Sequence, residues 1–290
     1  MMRVIVVILL ISVICPTSLL AATECSQWQD RNPEWIWCDD FEGNTDLQNR
    51  YEDSSLIGMG VTQNQVFEGN QSLEQKYQLG QVAAGWITKV DNNGFPEHLF
   101  IRWYHYMPSG YGDTLPQKMA RIRLRQRSGD WRDIYALHAW IKKNVITISP
   151  YAKDSSQANN SGWLATQFSN VDFTKAENLN RWIAFEIEIR LNSPDQTNGL
   201  YRMWTDDRLV IEQTGLDIRG NSNGKINEVM LDTYFNGGSP GNLSRYYDNL
   251  VISNSKIGLA AATAPSAPLP PKNLQANKMI NEQTSTTPGQ

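Results

Sequence analysis

The segment Trp182-Ile183-Ala184-Phe185-Glu186-Ile187-Glu188-Ile189-Arg190-Leu191 alternates apolar and polar residues along almost its whole length. A period of two belongs to an extended strand with one buried face; a helix would scatter Ile183, Phe185, Ile187, Ile189 and Leu191 around its axis. Glu186, Glu188 and Arg190 then point outward. The same alternation over Leu99–Met107 sets Leu99, Ile101, Trp103 and Met107 inside and leaves Arg102, Tyr104 and Tyr106 on the open face. A third run buries Tyr135, Leu137, Ala139 and Ile141 and turns His138 and Trp140 outward. More strands are expected over Lys118–Arg127, Val145–Ser149, Leu200–Trp204, Leu209–Gln213, Ile226–Phe235 and Tyr246–Ser253, with turns at Asn198-Gly199, Asp206-Asp207 and Asn236-Gly237-Gly238. About a dozen short strands and no long amphipathic helix predict an all-β protein, a two-sheet antiparallel β-sandwich of jelly-roll type.

Both ends differ from this middle. Met1-Met2-Arg3 precedes an apolar run from Val4 to Ile14, and Ala21-Ala22 offers small residues for cleavage, so residues 1–22 read as a signal peptide and the expected location is secreted or periplasmic. The run falls short of the roughly 20 apolar residues that span a bilayer. Bulky Val13 and Ile14 ahead of Cys15 argue against lipidation there. Cys25 and Cys38 are then the remaining cysteines, an even pair expected to form a disulfide in an exported chain. Residues 260–290 hold five of the 13 prolines and almost no large apolar side chain, which is the composition of a Pro/Ser/Thr-rich linker or disordered tail. Within it, Pro268-Leu269-Pro270-Pro271-Lys272-Asn273-Leu274 resembles the opening strand of a fibronectin type III module whose remainder is missing. One domain is expected over 23–259.

The chain carries 26 Lys+Arg against 30 Asp+Glu, a net charge of −4, which speaks against nucleic acid as a partner, and no membrane association is expected after signal cleavage. The average hides a local excess. From Lys118 to Arg132 there are one Lys and five Arg against Asp130 alone, and Arg121, Arg123 and Arg125 alternate with Ile122 and Leu124. If the strands at Leu99, Lys118 and Tyr135 lie side by side, Arg102, Tyr104, Arg121, Arg123, Arg125, His138 and Trp140 share one open sheet face. Guanidinium groups grip carboxylates in bidentate fashion, and flat rings stack on sugars, so the partner such a face suits is an anionic polysaccharide. The plainer alternative is a solvated face, the commonest setting of an arginine on a half-exposed strand.

Cys38-Asp39-Asp40-Phe41-Glu42-Gly43, Gly69-Asn70-Gln71-Ser72-Leu73 and Leu99–Pro108 resemble the opening strands of concanavalin A-like jelly-roll polysaccharide lyases. Trp182–Asn192, Asn198–Asp207, Tyr234–Ser239 and Tyr246–Ser253 are similar to the secreted alginate and glucuronan lyases, although Asp207 stands where such chains often have Gly. The resemblance implies β-elimination on alginate, glucuronan or a related uronic acid polymer. That reaction needs a group to neutralise the C6 carboxylate, a base for the C5 proton and an acid for the departing O4. Arg102 and Arg123 are candidates for the first, His138 for the base, and Tyr104 or Tyr234 for the acid. Arg121, Arg125, Trp140, Glu188 and Asp232 are candidate substrate-binding residues. No cofactor is required for this chemistry, while the resemblance admits a structural Ca²⁺ held by Glu42 and Asp248. Two other readings stay open. A glycoside hydrolase on the same fold would use paired carboxylates, for which Glu186 and Glu188 are the nearest candidates. A lectin-like or laminin G-like binding module would use the same aromatic and cationic face without a base.

Overall fold

In the computed structural model, residues 23–43, 46–109, 116–126 and 132–260 are described. The chain divides into a unit that ends at Leu259 and a second from Ala260 to Gln290. The signal peptide expected over 1–22 and the tail from residue 261 lie outside the described residues.

Fifteen strands are described, in chain order β1 (Trp35–Asp39), β2 (Asp53–Ser55), β3 (Met59–Thr62), β4 (Ser72–Tyr77), β5 (Ala83–Val90), β6 (His98–Tyr106), β7 (Gln117–Gln126), β8 (Arg132–Lys142), β9 (Val145–Ala152), β10 (Gln167–Asp172), β11 (Trp182–Arg190), β12 (Gly199–Thr205), β13 (Arg208–Leu216), β14 (Glu228–Phe235) and β15 (Leu243–Ser253). Two four-residue helices, α1 (Trp28–Arg31) and α2 (Leu47–Arg50), flank β1. Every strand pair is antiparallel. The first sheet runs β13-β12-β11-β6-β15-β4-β3, with β1 on the second half of β15, and the second sheet runs β10-β9-β8-β7-β14-β5-β2. This is the all-β two-sheet sandwich that the alternation predicts.

The inward sets are those the period of two selects. Ile183, Phe185, Ile187 and Ile189 on β11 meet Tyr135, Leu137, Ala139 and Ile141 on β8 in one continuous core, and none of them is more than 2% exposed. The alternation also breaks where the backbone bulges. On β15, Arg245 and Tyr247 face inward, Asn249 takes a positive φ of 44°, and Leu250 and Ile252 then face inward instead. One extra residue reverses the parity of a strand.

The strand order separates residues that the sequence alone places together. β6 lies in the first sheet between β11 and β15, whereas β7 and β8 lie in the second. Arg102 and Tyr104 therefore sit on the far side of the sandwich from the arginines of β7. There the N-terminal segment, clipped to β1 by the Cys25–Cys38 disulfide, covers Arg102, and Phe67 covers Tyr104. Glu24 forms an ion pair with Arg102, whose side chain is fully buried, and Arg102 also donates to the Gly258 carbonyl at 3.2 Å. Tyr104 stacks on Phe67 with ring centroids 3.6 Å apart.

Removing one partner of a buried ion pair leaves an uncompensated charge, and the Glu24→Ala variant is expected to lose about 3 kcal/mol of stability. Guanidinium denaturation of folded wild type and variant measures the loss, and equal midpoints would show that Arg102 does not depend on Glu24.

Candidate active site

The outer face of the second sheet is a lattice of cross-strand rows, because directly paired residues share a face about 5 Å apart. One row reads Tyr234, Lys118, Trp140, Thr147 across β14, β7, β8 and β9. The next reads Met230, Arg121, His138, Ser149, and a third reads Glu228, Arg123, Ala136, Tyr151. Asp232 lies between the first two rows, opposite Trp86 of β5. Seven of the ten residues expected from sequence to catalyse or bind thus meet here: His138, Tyr234, Arg121, Arg123, Arg125, Trp140 and Asp232.

The other three do not. Arg102 and Tyr104 are covered on the first sheet, and Glu188 projects from the outer side of β11, where it accepts from Arg202 at 3.1 Å and lies 2.7 Å from His98 Nε2. The neighbouring Glu186 accepts the Ile257 and Gly258 N–H groups at 2.7 and 3.0 Å, so the carboxylates that a hydrolase reading would use are committed to structure. The candidate metal ligands are committed as well. Glu42 accepts the Asn70 and Gln71 N–H groups at 2.5 and 2.6 Å, and Asp248 accepts those of Phe67 and Asn249 at 3.0 and 2.9 Å. Among the described residues no three His, Cys, Asp or Glu side chains converge to hold a metal, and Glu42 and Asp248 accept main-chain N–H groups.

Within the lattice the arginines are paired. Arg121 Nε lies 2.8 Å from Asp232 Oδ2, Arg123 pairs with Glu228 and lies 3.6 Å from Asp133, and Arg125 lies 3.9 Å from the same Asp133. The Arg123 side chain is only 2% exposed, which removes it as a contact for a polymer. Trp140 is covered too. Lys118 Nζ and Lys142 Nζ lie 5.0 and 4.4 Å from its ring centroid, so cations rather than a sugar occupy its surroundings. Lys142 also donates to Ser149 Oγ at 2.9 Å.

Lys118 is the residue that alternation misses. Counting by two from Ile122 and Leu124 puts it on the core side. A bulge between Lys118 and Ala120, where Lys118 pairs with Trp140 and Ala120 with Ala139, turns it out instead. Its ammonium lies 4.5 Å from the ring centroid of Tyr234, and Tyr234 is 38% exposed. Burial holds the Lys118 amine below its usual 10.5, with Asp232 opposing and Arg121 adding to the shift. His138, stacked on Trp140 at 5.7 Å and tilted against Trp163 at 5.3 Å, is 5% exposed. Burial first, then Arg121, Lys118, Arg123 and Lys142, pushes its imidazole well below 6.5. It is neutral at neutral pH and a weak base.

A cavity of about 670 Å³ lies elsewhere, where the ends of β11 and β12 meet β10, lined by Asn178, Arg181, Asp206 and Arg208 among others. It holds none of the expected site residues. The expected residues converge on the open sheet face instead, so chemistry, not volume, selects the site.

Residues 122–250 match the family model described as Polysaccharide lyase 14. The domain has the fold of the jelly-roll polysaccharide lyases. Solved structures share it at low identity: the alginate lyase vAL-1 from a Chlorella virus (TM-score 0.58, 13% identity, 81% of this chain and 99% of that one) and the marine alginate lyase from Aplysia kurodai (0.56, 11%, 75% and 98%). The endo-β-1,4-glucuronan lyase from the fungus Trichoderma reesei also shares it (0.52, 17%, 76% and 91%). A search of the curated proteins finds no match. The matched segment begins inside β7 and ends inside β15, so it takes in His138, Asp232 and Tyr234 and starts four residues after Lys118.

The lowered imidazole has a measurable consequence. A group whose folded-state pKa lies below its unfolded value near 6.5 binds protons more readily in the unfolded chain, so stability is full above about pH 6.5 and falls as the pH drops toward the folded value. Denaturation midpoints are expected to fall between neutral and mildly acidic pH, and to fall less in His138→Gln; identical slopes in the two proteins would show that His138 is not desolvated.

Proposed function

We propose that the protein is an exported lyase that cleaves an anionic, uronic-acid-containing polysaccharide such as alginate or glucuronan by β-elimination. The observation that carries the reading is the Lys118–Tyr234 pair on the open face of the second sheet, an amine and a phenol side by side with Arg121 in the adjoining row. The family match supports lyase chemistry, and the named activities of the structural relatives support an anionic substrate. The apolar N-terminal run and the Cys25–Cys38 disulfide support export.

The residues divide the chemistry as follows. Arg121 and the cations around it offset the charge that builds on the C6 carboxylate as C5 loses its proton. The Lys118 amine, held below its usual 10.5 by burial, takes that proton in its neutral form. The electron pair of the C5–H bond becomes the C4=C5 double bond as the C4–O4 bond breaks, and the Tyr234 hydroxyl donates a proton to O4. His138 Nδ1 is buried without a hydrogen bond among the described residues, and the neutral ring supports Lys118 and Trp140 rather than taking the proton.

Purified protein incubated with alginate, glucuronan, a heparinoid and neutral β-glucan is expected to generate ultraviolet absorbance from an unsaturated product on a uronate polymer and none on β-glucan. Binding without any such product would favour a lectin-like module, and new reducing ends without absorbance a hydrolase. Lys118→Ala and Tyr234→Phe should each lower kcat by about 10²- to 10⁴-fold, while Glu188→Gln, on the other sheet, should leave it nearly unchanged. The rate should rise with pH through the lowered Lys118 value, because only the neutral amine accepts a proton. Full activity in Lys118→Ala would overturn the assignment of the base.

A further inference from the structure

The bulge that exposes Lys118 leaves main-chain carbonyls without ladder partners inside the sandwich, and buried carbonyls need donors. The donors come from the opposite sheet. Arg245, on the inner side of β15, is fully buried, and its Nη2 donates to the Lys118 carbonyl at 2.6 Å and to the Asp232 carbonyl at 2.7 Å. Nη1 donates to Gln117 Oε1 at 3.0 Å and Nε to Gln75 Oε1 at 2.8 Å. Two residues further along β15, the Tyr247 hydroxyl donates to the Met119 carbonyl at 3.2 Å. The guanidinium carbon lies 5.6 Å from the ring centroids of both Tyr77 and Tyr247.

These contacts fall on two bulges that face each other. On β7 the pairing with β8 shifts between Lys118 and Ala120; on β14 the pairing with β7 shifts between Leu231 and Tyr234, with Asp232 and Thr233 between them. The irregular backbone is thus the backbone that carries Lys118, Asp232 and Tyr234. A planar fork with several fixed donors can serve carbonyls of two adjacent strands at once, which a lysine, with one flexible point charge, cannot.

We infer that Arg245 is a positioning residue for the site: together with Tyr247 it holds, from the opposite sheet, the paired bulges that turn Lys118 and Tyr234 onto the open face. Its kinetic consequence rests on the proposed function; its structural consequence does not. Losing the fork frees the two strands to regularise, and regular alternation carries Lys118 away from Tyr234.

The test uses Arg245→Gln, with Tyr247→Phe as a milder variant that keeps the guanidinium, each checked for folding by its melting temperature. On the cleaved polymer, Arg245→Gln is expected to lower kcat by about 10²-fold, the scale of an ångström-sized misplacement, with KM little changed and Arg245→Lys recovering only part of the loss. The rising limb of the pH–rate profile should move to higher pH, since a better solvated Lys118 regains its ordinary basicity. A second reading needs no substrate: the pH dependence of Lys118 acetylation by acetic anhydride, followed by peptide mass spectrometry, should move in the same direction. Folded variants that match wild type in kcat and in acetylation profile overturn the inference. If the wild-type protein cleaves no uronate polymer, that failure counts against the proposed function, and the acetylation profile alone decides: a shift upholds the positioning role and an unchanged profile overturns it. If Arg245→Gln does not fold, Tyr247→Phe decides by the same two readings.

Discussion

Two sheets packed face to face about 10 Å apart leave no water between them, so any polar backbone atom turned into that gap must be answered by the sheet opposite. The sandwich meets this constraint at β7 and β14, whose irregular stretches turn carbonyls inward and receive the Arg245 guanidinium and the Tyr247 hydroxyl from β15. These irregular stretches of β7 and β14 underlie the amine and phenol of the outer face.

The alternation in the sequence makes the strands and their inner faces legible, because burial imposes a period of two on β6, β8 and β11. Strand order is another matter. Nothing in a single strand's pattern records its lateral neighbour, so Arg102 and Tyr104 on β6 look equivalent to Arg121 and His138 until the topology sends β6 to the other sheet. Lys118 is hidden for a different reason. A bulge costs one residue of register and leaves no composition signal, since Met119 and Ala120 are ordinary strand residues. A run of two apolar residues between two outward cations, Lys118 and Arg121, is the trace it leaves in the sequence.

Charge tells a similar story at another scale. The local excess of five between Lys118 and Arg132 shrinks once folding brings Asp133, Glu228 and Asp232 against the arginines. The Arg123 guanidinium, paired and buried, orders the sheet face rather than capturing a ligand, because a new partner would have to displace Glu228. The consequence is a face with a rigid ionic floor and its lysine amines beside the aromatic rings.

On the far side of the sandwich, Glu24 and Gly258 both reach the Arg102 guanidinium. The first and last strands, β1 and β15, are moreover paired with each other. The domain is in this sense a closed ring cut at one point. A short peptide bridging the neighbourhood of Glu24 to that of Gly258 would move the cut elsewhere, and a circular permutant opened at an exposed turn such as Asp206-Asp207 would retain every strand pairing.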